Sequence, residues 1–343
     1  MVSSFKMMIN DFRRYFAYHL KKSPKLKNTP HIYVIESTNY CNLDCLMCPR
    51  RHMKREPEHM KFELFKKIID ESKDFVYEVG LDLFGEPLLC PDIFRMIKYA
   101  KEAGVNNVAM STNAMLLTEE KSKSILESGL DVLVIDMDGF KKETYEKLRK
   151  GAKFEVVVNN IKRFGELKRE AEKNGNIKPY TILQIIKMKE TEPEINDWIE
   201  FWKDTPFHLH VKRFNTWAQQ DKDITELSKE EQRVRPNQKR RPCSFLWEQM
   251  IFASNGNVTA CCIDYDTKLN MGNVKEQSVL EVWNGERFRK FREEHKKGIY
   301  TNICTNCLEW KGSSALAFWR EMKFFRTSKL WKKLFMKSKV SYV

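Results

Sequence analysis

Residues 31–48 read HIYVIESTNYCNLDCLMC, and this stretch decides the fold. His31 to Glu36 is a short β-branched and aromatic run with strand character. It leads into Cys41, Cys45 and Cys48, a C-x3-C-x2-C loop. Three thiolates so close together can hold three irons of a [4Fe-4S] cube. The fourth iron then has no protein ligand, so it can bind a small chelating molecule and pass it an electron. Structural zinc is the competing use of such a loop. Zinc takes four protein ligands, whereas this loop supplies three, and His52 lies outside the usual spacing.

Working outward, short apolar strands alternate with amphipathic helices. Phe62 to Ser72 reads as a helix and Val79 to Phe84 as a strand. The next helix places Ile93, Met96, Ile97 and Ala100 on one face and ends at Gly104. Asn107 to Met110 is a strand, and Thr118 caps a helix that closes at Gly129. Val132 to Ile135, Thr181 to Met188 and His208 to Val211 complete the strands. Repeated strand–helix units predict the α/β class: a partial (β/α)6 TIM-like barrel over residues 31–217, with ligands at the C-terminal strand ends.

With these residues in view, the chain resembles the radical S-adenosylmethionine (radical SAM) superfamily, whose signature is a C-x3-C-x2-C loop after the first strand. Phe84-Gly85-Glu86-Pro87 resembles the family's Gly-Gly-Glu motif, with Phe84 in the first glycine position. Ser111-Thr112-Asn113 resembles its Thr-Asn-Gly turn, with Ala114 in place of glycine. Asp136-Met137-Asp138-Gly139 resembles a Ser-Ile-Asp-Gly pattern, and Tyr145 to Gly151, which includes Arg149, resembles an Arg-Lys-Gly segment. The resemblance implies that the open iron binds the amino and carboxylate groups of S-adenosyl-L-methionine. It implies cosubstrate contacts from Gly85, Glu86, Ser111, Asn113, Asp136, Asp138 and Arg149. Reduction by an external flavodoxin- or ferredoxin-like donor then yields a 5′-deoxyadenosyl radical that abstracts a substrate hydrogen.

A second cysteine set follows. Cys243, Gly256 and Cys261 form C-x12-G-x4-C, and Cys304 and Cys307 form C-x2-C. Spacing alone leaves a fully ligated [4Fe-4S] cluster and a four-cysteine zinc site equally open. The pattern resembles the SPASM domain in its shortened form, called twitch, which implies one auxiliary [4Fe-4S] cluster held by these four cysteines across residues 243–310. A non-catalytic zinc protein is the reading from a different class. Two further residues of this region are candidate catalytic groups. Cys262, beside a ligand, could return a hydrogen atom in an epimerase, and Asp264 could accept the proton that leaves on substrate oxidation. Cys90 reads as a small buried apolar residue. Lys187, Lys212 and Arg213, near the last strand ends, could face an anionic substrate.

The expected reaction is a two-electron dehydrogenation with the auxiliary cluster as electron acceptor. Epimerisation, peptide maturation and modification of a membrane lipid or lipid-linked sugar are the alternatives. The substrate is expected to be a small molecule, a peptide or a lipid-linked compound. The 30 residues before the barrel are expected to be too few for a peptide-leader-binding domain, which a separate protein could supply.

The 343 residues carry a net charge of +14 with nine cysteines, 42% hydrophobic and 31% charged residues. No apolar run is long enough to span a membrane and no secretory signal is recognised. The cysteine usage suits a cytoplasmic metalloprotein. The charge is uneven: residues 1–30 hold seven Lys/Arg and one acid, and residues 311–343 hold nine and one. Residues 5–20 predict an amphipathic helix with Met8, Phe12, Tyr15, Phe16 and Leu20 on one side, and residues 314–336 predict a second basic, aromatic helix. These tails either pack on the protein or a partner, or lie on an anionic membrane surface. Nucleic acid is disfavoured, because the body between the tails is neutral. Residues 218–242 read as a charged, exposed linker.

Overall fold

The computed structural model describes residues 4–20, 23–229, 240–310 and 339–342. Helix α1 (Ser4–Tyr15) runs into a π-helical turn at Phe16–Leu20. Then come β1 (Ile32–Ile35), α2 (Phe62–Asp70), β2 (Glu78–Gly80), α3 (Ile93–Glu102), β3 (Asn107–Thr112), α4 (Glu119–Glu127) and β4 (Val132–Asp136). They are followed by α5 (Lys142–Leu148), α6 (Phe154–Lys173), β5 (Tyr180–Lys187), α7 (Ile195–Trp202) and β6 (His208–Arg213). The remainder holds α8 (Lys222–Glu226), β7 (Gln249–Phe252), β8 (Asn257–Thr259), β9 (Asn270–Asn273), α9 (Val279–Trp283), α10 (Glu286–Lys297) and β10 (Val340–Tyr342).

Strands β1 to β6 pair in parallel and in chain order, the partial barrel expected. Side chains of β3 alternate between buried and half-buried, as one covered face requires. Helix α3 buries Ile93, Met96, Ile97 and Ala100, and Gly104 follows it with φ +90°. Helix α4 is capped by Thr118, whose hydroxyl accepts from the Lys121 amide at 3.3 Å.

The C-terminal region is joined to the barrel more closely than expected. Strand β7 lies parallel to β1, from Ile32 opposite Gln249 to Ile35 opposite Phe252. Strands β8 and β9 continue antiparallel. At the far edge β10 pairs in parallel with β6, so the end of the predicted tail is a barrel-edge strand. The described strands thus form one sheet, ordered β10-β6-β5-β4-β3-β2-β1-β7-β8-β9. The physical reason is that both barrel edges offer unpaired backbone groups, which these segments satisfy.

One other expectation needs correcting. The first part of the predicted linker is folded: Ile224 in α8 is fully buried with Met47, Leu148, Met188 and Phe214. Residues 230–239 lie outside the described residues, as does the predicted helix 314–336. Helix α1 forms where predicted, and of the two faces left open by the sequence it is the aromatic stripe that points outward. Met7, Asp11, Arg14, Ala17 and Tyr18 are buried, while Phe12, Phe16 and Leu20 are exposed. No described helix is long and apolar enough to cross a membrane.

Candidate active site

The loop after β1 is pinned where β3, β4 and α5 end. The Asp44 amide donates to Lys150 O and the Leu46 amide to Leu148 O, both at 2.8 Å. Trp217 Nε1 donates to Met47 O at 2.9 Å, and Arg50 holds Leu43 O at 2.8 Å. Cys41, Cys45 and Cys48 are free thiols lining one open pocket at the C-terminal strand ends. Burial pushes Cys45 up to about 12 and Cys48 up to about 11, and raises Cys41. The neighbouring thiols oppose one another's ionisation, and Arg149 works the other way. Such a set stays protonated until a metal takes it as thiolate. Among the described residues no three His, Cys, Asp or Glu side chains converge on a single ion. In a cube each thiolate binds a different iron, and three thiols sharing a pocket fit that donor set.

Gly85 is required sterically. A Cβ there would lie 2.2 Å from Thr38 O and 2.7 Å from Tyr40 O, so the β2 end rests directly on the loop leading to Cys41. Glu86 accepts from Thr112 Oγ1 at 2.8 Å, the Asn113 amide at 2.9 Å and the Leu88 amide at 3.2 Å. It therefore ties the ends of β2 and β3 together as well as lining the pocket. Burial raises its carboxyl to about 7. Asn113 reaches back to Asn42 Oδ1 at 2.9 Å and stands 3.9 Å from Cys41 Sγ.

Asp136 lines the pocket and accepts from Gln184 Nε2 at 2.7 Å, whereas Asp138 does not line it. Asp138 is fully buried, which corrects its expected role as a direct cosubstrate contact. Its Oδ2 receives Arg149 Nε and Nη2 at 2.9 and 2.5 Å, and its Oδ1 receives the Ile186 amide at 2.7 Å. Burial opposes the Arg149 charge, but Asp138, Cys45 and Asp136 hold it well above the usual arginine value. Asp138 thus acts through Arg149, which does line the pocket.

The pocket wall also holds residues the sequence reading missed. Asp82, near the end of β2, accepts from Ser111 Oγ at 2.6 Å, and burial raises its carboxyl. A lone acid just past a strand carries no periodic signal, although its place two residues before Phe84 put it beside a recognised motif. Lys212 lines the pocket, Lys187 pairs with Glu192 at 2.8 Å, and Arg213 is not part of the lining.

In the second cysteine set, Gly256 (φ +87°) makes the turn between β7 and β8, where a Cβ would meet Asn273 Oδ1 at 2.9 Å. Cys261 follows β8, Cys243 precedes the turn into β7, and Cys304 and Cys307 follow α10. Burial pushes Cys304 and Cys307 up to about 12, and Cys243 adds to both shifts. Cys243 raises Cys261, Cys304 and Cys307 alike, and four thiols grouped around it suit a site with no open position. Cys262 shares a hydrogen bond with Cys261 and does not line the pocket. Asp264 is also corrected. It is 1% exposed, and its carboxylate accepts from Thr259 Oγ1 at 2.6 Å and from the Leu269 and Lys268 amides at 2.8 and 2.9 Å. Those bonds hold its own turn, and Asp264 does not line the pocket.

The two sites meet at an unforeseen junction. Arg55 donates to both oxygens of buried Glu36, at the end of β1, at 2.7 and 2.8 Å, and to Tyr265 O at 2.7 Å. The Phe84 ring lies 5.9 Å from Trp217 and 6.4 Å from Tyr265. The turn after Cys261 is thereby packed against the pocket mouth.

Comparison with known proteins agrees with this geometry. The Radical SAM superfamily model matches residues 35–201, and the SPASM iron-sulfur cluster-binding domain matches residues 243–308. The chain belongs to the radical SAM superfamily and carries a SPASM domain. Its cofactors are accordingly S-adenosyl-L-methionine and [4Fe-4S] clusters, including an auxiliary one. It is 28% identical over 325 residues to the tungsten-containing aldehyde ferredoxin oxidoreductase cofactor-modifying protein of Pyrococcus furiosus, covering 80% of this chain and 86% of that one. It is 25% identical over 316 residues to the AdoMet-dependent heme synthase of Nitratidesulfovibrio vulgaris, covering 79% and 83%. The structure of BtrN in complex with AdoMet and 2-DOIA superimposes with a TM-score of 0.58 at 19% identity, covering 83% of this chain and 95% of that one.

Proposed function

We propose that this enzyme dehydrogenates a small anionic substrate. The observation that carries the reading is a pocket lined by the first three cysteines and bordered, through Phe84 and Tyr265, by the turn that follows Cys261 of the second set. When bound, the cosubstrate and its cluster supply the 5′-deoxyadenosyl radical, and the auxiliary cluster supplies an acceptor for the second electron. Arg149, oriented by Asp138, places a fixed positive charge beside the cysteine loop. Glu86 and Asn113 hold the β2 and β3 ends in register with that loop. Lys212 is the substrate-facing cation: it makes no ion pair within 4 Å among the described residues, whereas Arg149 is paired. Asp82, held at one oxygen by Ser111, accepts the proton that a substrate hydroxyl loses on oxidation. It takes over the role first assigned to Asp264. Phe84, Phe214 and Trp217 provide the apolar part of the wall.

The test is a panel of small phosphorylated and carboxylated alcohols, deuterated at the carbinol carbon and incubated anaerobically with the reduced, cluster-loaded enzyme. The reading expects deuterium in 5′-deoxyadenosine and a product lighter by two hydrogens. A product that has only exchanged its carbinol deuterium for hydrogen would establish epimerisation instead, and transfer from peptides alone would replace the substrate class.

A further inference from the structure

Helix α1 and the turn after it bury one face and present a second, apolar stripe to the outside. Its inward side is mixed: Met7, Ala17 and Tyr18 are buried together with the charged pair Asp11 and Arg14. Arg14 is buried between Asp11 and Glu248, the residue just ahead of β7. The Asn10 side chain exchanges hydrogen bonds with the Thr29 backbone at 2.9 and 3.0 Å. Tyr18, in the π-helical turn, donates to Pro242 O at 2.7 Å and packs its ring 5.3 Å from Trp247. The outward side is apolar: Phe5, Phe12, Phe16 and Leu20 are 66%, 39%, 51% and 62% exposed. Their spacings of seven, four and four residues put them in one stripe. Exposed Lys6 and Arg13 border it.

A buried ion pair contributes little net stability compared with apolar packing. What this one does is fix the rotation of the helix, and the rotation it fixes presents the aromatic stripe to the outside. The charge of the segment says what covers the stripe. Residues 1–30 carry seven Lys/Arg against one acid, and the body of the chain is neutral. An apolar stripe bordered by cations matches the boundary between acyl chains and anionic headgroups. The stripe itself offers no hydrogen-bonding groups to read bases.

We propose that α1 and the turn after it dock this enzyme on an anionic phospholipid surface, with Phe5, Phe12, Phe16 and Leu20 inserted among the lipids. The contacts to Thr29 and Glu248 place α1 at the N-terminal ends of β1 and β7, whereas the pocket lies at the C-terminal ends. Docking therefore leaves the pocket mouth facing the aqueous phase and open to a soluble substrate.

The experiment is anaerobic co-sedimentation of the full, cluster-loaded chain with vesicles of phosphatidylglycerol and phosphatidylcholine, and with phosphatidylcholine alone. Binding to the anionic vesicles is expected, at least about tenfold weaker on the neutral ones and weakened by salt. The double variant F12E/F16E should lose that binding about tenfold or more, while F12L/F16L keeps it. Both should retain the wild-type iron content and 5′-deoxyadenosine yield, because neither position touches the active site. No binding by the wild type, or equal binding by F12E/F16E with iron content intact, would overturn the proposal. So would capture of single-stranded RNA in place of vesicles with the same dependence on Phe12 and Phe16.

Discussion

At the first cysteine site, three thiols come from one short loop and line an open pocket with a buried arginine beside them. At the second, four thiols come from segments spread over residues 243–307, and none of them lines that pocket. The first arrangement leaves room for a small molecule to complete the coordination, while the second can be completed by protein alone. The difference shows how one ligand type serves two ends. Local spacing suits an open site, and a set carried by a hairpin and the end of a helix suits a closed one.

Variants should separate the two sites. The largest effect is expected from Gly85→Ala, whose methyl group would collide with the Thr38 and Tyr40 carbonyls. It should cut 5′-deoxyadenosine formation by about 100-fold or more, while the iron of the second site stays in place. Asp138→Asn removes the charge that holds Arg149 and should destabilise the protein by about 3–5 kcal/mol in anaerobic denaturation. An equal loss of iron from both sites in either variant would blur the distinction.

The open site should also respond to pH. Burial raises Glu86 from 4.5 to about 7, so the folded protein holds a proton that the unfolded chain releases. Stability from this group is full below about 4.5 and is lost as pH rises to about 7, on the order of 3 kcal/mol in all. Glu86→Gln should flatten that slope in a denaturation series on the metal-free protein. Lys212→Ala should lower kcat/KM for an anionic substrate about tenfold to 100-fold while leaving substrate-free cosubstrate cleavage unchanged. The smallest effect is expected at the closed site. Asp264→Asn should cost about 1–2 kcal/mol of stability without shifting the pH profile of turnover. A shifted profile at unchanged stability would restore Asp264 as a proton acceptor.

What was legible in the sequence was what is local. The strand–loop pairing of His31 to Cys48 and the α3 face each act over a few residues, and their spacing carries the information. Gly85 and Gly256 were legible through the motifs around them, although what constrains them is Thr38, Tyr40 and Asn273. The parallel pairing of β7 with β1 and of β10 with β6 joins residues far apart in the chain, and no local pattern encodes it. Asp138 and Asp264 illustrate a different failure. An acid at a strand end or a turn reads as reactive, but what it does depends on the donors around it, and here these are Arg149 in one case and the backbone of its own turn in the other. Asp82 and Arg55 were missed for the converse reason, since only folding brings them to the pocket wall and the junction. The outward stripe of α1 shows that an apolar stripe marks what needs covering, not which side faces the core.

The central claim is that one open and one closed iron–sulfur site share this chain. The most direct test is an iron count with a 5′-deoxyadenosine assay after anaerobic reconstitution, for the wild type and for the triple variant C41A/C45A/C48A. About eight irons in the wild type, about four in the variant and 5′-deoxyadenosine from the wild type alone are predicted. Zinc in place of iron, with no 5′-deoxyadenosine from the reduced wild type, would contradict it.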